Sequence, residues 1–148
     1  MSNVTLNQAS TIVDTAIAKG RELNLHPLTV VVLDAGGHMV AMKREDKSGI
    51  LRADIASGKA WGTLGMGFGG REFARRAAGG GGLFLTALMA ASDGRVVPAP
   101  GGVLIRDAAG DIVGAVGISG DTSDKDEICA VAGIVAAGLK ADTGDPAA

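Results

Sequence analysis

The stretch Gly101–Asp121, GGVLIRDAAGDIVGAVGISGD, most constrains what this chain can fold into. Val103–Arg106 reads as one strand, Asp107–Gly110 as a turn and Ile112–Ser119 as a second strand. Asp107 can bond its own backbone, and Gly110 takes a left-handed conformation at little steric cost. The second strand carries Gly114 and Gly117 and runs out at Gly120. Glycine weakens a strand interior, so its presence there marks a bend or the close approach of another backbone.

The rest of the chain supplies partners for this hairpin. Thr5–Leu23 has the helical spacing of an amphipathic segment, with Leu6, Ala9, Ile12, Val13, Ala16 and Ile17 on one side. Thr5 and Gln8 have the form of a capping box, and Asn24 and Pro27 close the helix. Leu28–Asp34 is β-branched and nearly all apolar, as expected of a central strand covered on both faces. Ala35-Gly36-Gly37 turns the chain, and His38–Arg44 returns antiparallel, with His38, Val40 and Met42 on one face. Leu51–Met66 becomes helical again, Arg71–Ala78 is a short basic helical turn, and Leu83–Ser92 is a short apolar helical segment. Arg95–Val97 is a candidate short strand, ended by Pro98-Ala99-Pro100. Ser123 opens a last helix, with Asp126 three residues on, that runs to about Ala141; the polar tail 142–148 is expected to fray. Two hairpins and the Arg95–Val97 strand then make a five-stranded, mainly antiparallel sheet of the α+β class in one domain over residues 1–148.

Composition narrows the function. Net charge is −2, which offers no electrostatic footprint for nucleic acid. No run of 18 uncharged apolar residues occurs, so no membrane span is expected, and the N-terminus lacks the basic and apolar regions of a signal peptide. A cytoplasmic protein is the expectation. The apolar fraction of 47% is high for a lone soluble monomer and points to a subunit interface. Gly65–Gly70 follows no strand and Gly79–Gly82 precedes no Lys-Ser/Thr, so neither nucleotide-binding context is present. With one cysteine, an internal disulfide and a CxxCH haem attachment are excluded, and with two histidines and no cysteine pair a structural zinc site is not expected.

Five short motifs occur in order: Asp34-Ala35-Gly36-Gly37-His38, Lys59-Ala60, Val97-Pro98-Ala99-Pro100-Gly101-Gly102, Gly114-Ala115-Val116-Gly117-Ile118-Ser119-Gly120 and Asp126-Glu127. In this combination, over residues 5 to 141, the chain resembles the GlcG/HbpS family of haem-associated proteins and is similar to the C-terminal domain of PduO-type proteins. The resemblance implies a profilin-like α/β sandwich, a five-stranded antiparallel sheet flanked by helices. It also implies homo-oligomers, from dimer up to octamer, and haem binding in some members. The segment Gly62–Gly82, glycine-rich and carrying Arg71, Arg75 and Arg76, is then a lid or pocket wall.

Several residues are candidates for the site. His38 and His26 are the possible haem ligands, since imidazole ligates iron and titrates near neutrality. His38 starts a strand after a tight turn, and the bland alternative is a residue bonded to that turn. His26 sits in a helix-to-strand loop, where the alternative is simple solvent exposure. Arg52, Lys59 and Arg71 are candidate anchors for a propionate or a small carboxylate. Backbone N–H groups at Gly101, Gly102 and Gly120 are further candidates for an anion. Asp121, Asp124, Asp126 and Glu127 read as acids suited to the first turn of the last helix. Met39, Met42, Met66, Met89 and Cys129 read as apolar filler. The leading expectation is a homo-oligomeric small-ligand-binding protein, with haem as the ligand the resemblance implies. The alternatives are an enzyme acting on a small organic acid, with His38 as acid/base beside Lys59 or Arg71, and a structural subunit whose Gly62–Gly82 segment packs on a neighbour.

Overall fold

The Gly101–Asp121 hairpin lies at the centre of the sheet, with one strand added directly to each of its edges. The computed structural model describes residues 2–146. In it, helix α1 (Leu6–Glu22) leads to strands β1 (Thr29–Asp34) and β2 (Met39–Arg44). Helices α2 (Arg52–Met66), α3 (Gly70–Ala78) and α4 (Gly82–Ala91) follow, then strands β3 (Gly102–Arg106) and β4 (Ile112–Ser119), helix α5 (Ser123–Ala136) and strand β5 (Lys140–Asp142). The sheet order is β2-β1-β4-β3-β5, with every pair antiparallel. The class is α+β, as expected.

Both faces of the sheet are covered. Val30 and Val32 of β1, with Val116 and Ile118 of β4, pack against Ile12, Val13 and Ala16 of α1 and Cys129 and Ile134 of α5. The alternate residues Val31, Leu33, Leu104 and Ala115 pack against Ala56 and Ala60 of α2. Two-sided burial is why β1 reads as an unbroken apolar run rather than an alternation. The glycines of the hairpin answer to α2: a Cβ on Gly117 would overlap the carbonyl oxygen of Ala56, and one on Gly102 would lie 2.5 Å from that of Lys59. The helix backbone therefore rests directly on the sheet.

Local signals hold at both ends of α1. Gln8 N–H donates to Thr5 Oγ1 at 3.1 Å, and Thr5 N–H donates to Gln8 Oε1 at 2.9 Å, closing the capping box. At the other end Asn24 takes a φ of 54°, and Leu25 N–H donates to the carbonyl of Gly20. In β2, a register shift between Val32 and Leu33 replaces the strict alternation expected for His38–Arg44, so that Val40 and Ala41 both pack on the α1 core.

Four expectations are corrected. Arg95–Val97 is not a strand: Val97 N–H donates to the carbonyl of Gly58, Val96 is buried, and the segment lies along α2 instead of in the sheet. The fifth strand is β5, from residues expected to continue the last helix. That helix stops at Ala136 because Gly138, at φ 78°, allows the Leu139 and Gly138 N–H groups to turn back onto Ile134 and Val135. Ser123 is the first helical residue and not the cap; Thr122 holds that position without a side-chain bond. Where fraying was expected from residue 142, Asp142 completes β5 and the buried Thr143 accepts the N–H of Arg71 at 3.0 Å; residues 147 and 148 lie outside the described range.

The contact of α2 with β4 yields a direct test. Gly117→Ala forces a methyl into the Ala56 carbonyl and is expected to cost about 3 kcal/mol of folding free energy, read by urea denaturation. A loss under 1 kcal/mol would show that α2 can lift off the sheet freely.

Candidate functional site

Residues 52, 56, 59, 60 and 63 recur on the one stripe of α2 that faces the sheet, and two of them are cations. Lys59 is 4% exposed. Its Nζ donates to the carbonyl of Ile118 at 2.9 Å and to Asp126 Oδ2 at 3.1 Å. Asp126 is buried as well, and its second oxygen accepts the N–H of Asp121 at 3.1 Å. Gly101, at φ 100°, makes room for this pair, because a Cβ there would lie 2.9 Å from Lys59 Nζ. Burial pushes the Asp126 carboxyl above its ordinary range, and the Lys59 charge opposes that shift.

A second pair lies beside the first. Arg71, from α3, places Nε 3.1 Å from Glu127 Oε1 and 3.0 Å from Oε2, with the hydrogen bond directed to Oε1. Successive residues on α5 point about 100° apart, so Asp126 and Glu127 reach α2 and α3 respectively.

The same end of the sheet opens to the surface. His26, Lys47, Gly49, Arg52 and Gly120 are among the residues lining an open depression of about 340 Å³. Its wall is held by several bonds: His26 N–H to Asp121 Oδ2 at 2.9 Å, Arg52 Nη1 to Ser119 Oγ at 3.1 Å, and the buried contact of Thr29 and Ser48 hydroxyls at 2.8 Å. Two backbone N–H donations, the His26 bond first, hold the Asp121 carboxyl below its usual range. Gly49 and Arg52 also line a second depression with Ile50, Leu51 and Ile55. Ile50 is 91% exposed and Leu51 65%. A cationic, imidazole-bearing hollow thus continues into an apolar one.

The expected residues are divided between places. Arg52, Lys59, Gly101, Gly102 and Gly120 gather at the β4 end, with His26 on its rim. His38 does not join them. Its ring Nδ1 lies 3.2 Å from Asp34 Oδ1, which also accepts the N–H groups of His38 and Gly36, and its side chain is 81% exposed. These bonds hold the Asp34 carboxyl below its usual range. Thr29 pairs with Ser119, whereas Asp34 pairs with Gly114, so His38 is about 17 Å along the strand from the Arg52 end. His38 and Lys59 are therefore not one constellation. Arg71 and Lys59 have carboxylate partners within the chain.

Lys47, Ile50 and Leu51 are additions made by the structure. Asp126 does sit in the first turn of α5, and the structure adds what the sequence does not show, that Asp126 and Glu127 are ion-pair partners. The stripe 52-56-59-60-63 carried the signal, since a lysine on a buried stripe requires a buried acid. Among the described residues no group of three or more His, Cys, Asp or Glu gathers as a metal set. Cys129 is buried, with its thiol pushed up to about 11 by burial.

Residues 4–135 match the family model described as haem degrading protein HbpS-like. The chain is 29% identical over 130 residues to the uncharacterized 15.0 kDa protein of the dhaT-dhaS intergenic region of Citrobacter freundii, covering 88% of this chain and 89% of that one. The crystal structure of a PduOC–haem complex superposes with a TM-score of 0.83 at 23% identity, covering 97% of this chain and 99% of the other. Klebsiella pneumoniae protein ORFY, of the DUF336 family model, superposes with a TM-score of 0.82 at 25% identity, covering 93% and 92%.

The buried pair sets a pH-dependent stability. An acid whose carboxyl is raised by folding binds more protons folded than unfolded, so lower pH favours the fold. Lys59→Met leaves Asp126 without its cation and is expected to cost about 3–5 kcal/mol at neutral pH. The deficit shrinks as the pH falls, because burial raises the Asp126 carboxyl above its ordinary range and loss of the Lys59 charge raises it further, so that protonation removes the uncompensated ion. Urea denaturation at several pH values reads this; a deficit that is the same throughout would show that Asp126 is not the group left uncompensated.

Proposed function

This chain belongs to the HbpS-like family, and on that premise we propose that it binds haem in the joined depressions between the β2–α2 loop and the end of β4. One observation carries the reading: His26 and Arg52 line a hollow that continues into the exposed Ile50 and Leu51. A haem has an apolar macrocycle, two carboxylates and an iron that accepts an imidazole nitrogen. Ile50, Leu51 and Ile55 offer the apolar contact. Arg52 and Lys47 offer cations for the propionates, with Arg favoured by its planar fork. His26 offers the imidazole, on a loop whose backbone is tied to Asp121.

When bound, the group supplies redox-active iron with coordination positions set by the protein. The chain's own residues bind and orient it. Lys59 and Asp126 act beneath the site by fixing the Asp121 backbone, and Asp121 in turn fixes His26. An enzyme built on His38 with Lys59 or Arg71 has less support, because His38 lies at the far end of β1 and both cations are already paired.

A hemin titration followed by absorbance tests the proposal. Saturation near one haem per chain is expected, with the shifted Soret band lost in His26→Ala and retained in His38→Ala. Arg52→Ala is expected to weaken binding about tenfold, the loss of one propionate contact. Weak, non-saturating binding that His26→Ala leaves unchanged would overturn the assignment.

A further inference from the structure

Arg95 is the one arginine without a hydrogen-bond acceptor among the described residues; the others each reach a carboxylate, a carbonyl or a hydroxyl. Its guanidinium instead stacks on Trp61, 4.1 Å from the ring centroid. Stacking fixes the planar fork and leaves its N–H groups unspent. The same side chain lines a depression of about 600 Å³ between α2 and the loop after α4. That is the size of a small-molecule site. Asp54, Ile55 and Ser57 line it from the helix, and Asp93 and Val97 from the loop. Among the described residues, neither carboxylate has an ion-pair partner, and the Ser57 hydroxyl has no hydrogen bond.

These opposite charges share one hollow without pairing, because each is held by its own support. Asp54 and Ser57 are three residues apart on one face of α2. Asp93 takes a left-handed φ of 57°, and the next two N–H groups bind back, Gly94 to the Met89 carbonyl at 2.7 Å and Arg95 to that of Ser92 at 3.1 Å. The loop also lies directly on the helix, since a Cβ on Gly58 would be 2.6 Å from the Arg95 carbonyl oxygen. We propose that this depression binds a small diamino monocarboxylate of the lysine type. Its carboxylate meets Arg95, its two amino groups meet Asp54 and Asp93, and its methylenes lie over Ile55 and Val97. Charge selects the class. Two carboxylates against one guanidinium leave one negative charge in excess, and a ligand with two ammonium groups and one carboxylate balances it. A plain diamine leaves the guanidinium unanswered, and a neutral amino acid leaves one aspartate unanswered. Ile55 also lines the hollow assigned to haem, so the two sites share a wall, but the assignment here stands without haem.

Trp61 is the sole tryptophan of the chain, so a carboxylate arriving on Arg95 is read in its fluorescence. Titration of the full chain with L-lysine is expected to saturate with a Kd of about 1 mM or below. Cadaverine, which lacks the carboxylate, and 6-aminohexanoate, which lacks one amino group, are each expected to bind at least about fivefold more weakly, read by calorimetry. Arg95→Gln is expected to weaken lysine binding about tenfold and to leave cadaverine unchanged. The double variant Asp54→Asn/Asp93→Asn is expected to abolish saturation by both. Asparagine tolerates the left-handed φ at residue 93, and circular dichroism checks that the fold is kept. A wild-type chain that does not saturate by about 20 mM lysine, lysine binding that Arg95→Gln leaves intact, or a truncated probe that binds as tightly as lysine would each overturn the proposal. Cadaverine matching lysine would reduce the hollow to an acidic surface that attracts any cation.

Discussion

The ion pair of Lys59 and Asp126 joins three parts of the molecule at one buried point. It ties α2 to the start of α5, and through the Ile118 carbonyl it ties both to the end of β4. Two ions in a nearly dry site are costly unless all their bonding capacity is used. Here the lysine has two acceptors and the carboxylate has the Asp121 N–H as well. Asp121 then passes the constraint outward, since its own carboxylate holds the His26 backbone. A chain of bonds thus runs from a buried charge to the rim of the surface hollow. Lys59 is a positioning residue, and the groups left to meet a ligand are the ones above it.

The arrangement depends on how closely α2 rests on the sheet. Gly117 and Gly102 remove the side chains that would hold it off, and Ala56 and Ala60 do the same from the helix. Close approach brings Lys59 within reach of the Ile118 carbonyl and Arg52 within reach of Ser119. These two cations are two turns apart on α2, so one reaches buried acceptors and the other reaches the mouth of the site. The opposite face of the sheet carries the larger core, with α1 and α5. One side therefore supplies most of the packing, and the thinner side supplies the site.

Much of the fold was legible because it is local. Thr5 with Gln8, Asn24 after α1, and the Asp107–Gly110 turn each act within a few residues, and each formed as read. The apolar run at β1 announced two-sided burial. The errors fell where a local preference met a distant competitor. Arg95–Val97 has strand-like residues, but its hydrogen bonds go to α2. Gly138, read as part of a continuing helix, ended it and released Lys140–Asp142 to pair with β3. Asp126 has the identity of a first-turn acid, yet a lysine 67 residues away claims it. Read from the sequence, His38 was the stronger ligand candidate and His26 the weaker. The strand between them already set them at opposite ends, and the pairing of β1 with β4 shows that the His26 end is the one carrying Ser119 and Arg52.

Sequence alone determined the hairpins, the capped first helix, the glycines under α2 and the α+β class, because periodicity and turn chemistry act over a few residues. Tertiary structure decided which carboxylate meets Lys59, which histidine shares a hollow with Arg52, and which segment closes the sheet. Those outcomes join residues far apart in the chain, and the choice among chemically equivalent partners is made by packing distance and burial, which no local pattern encodes.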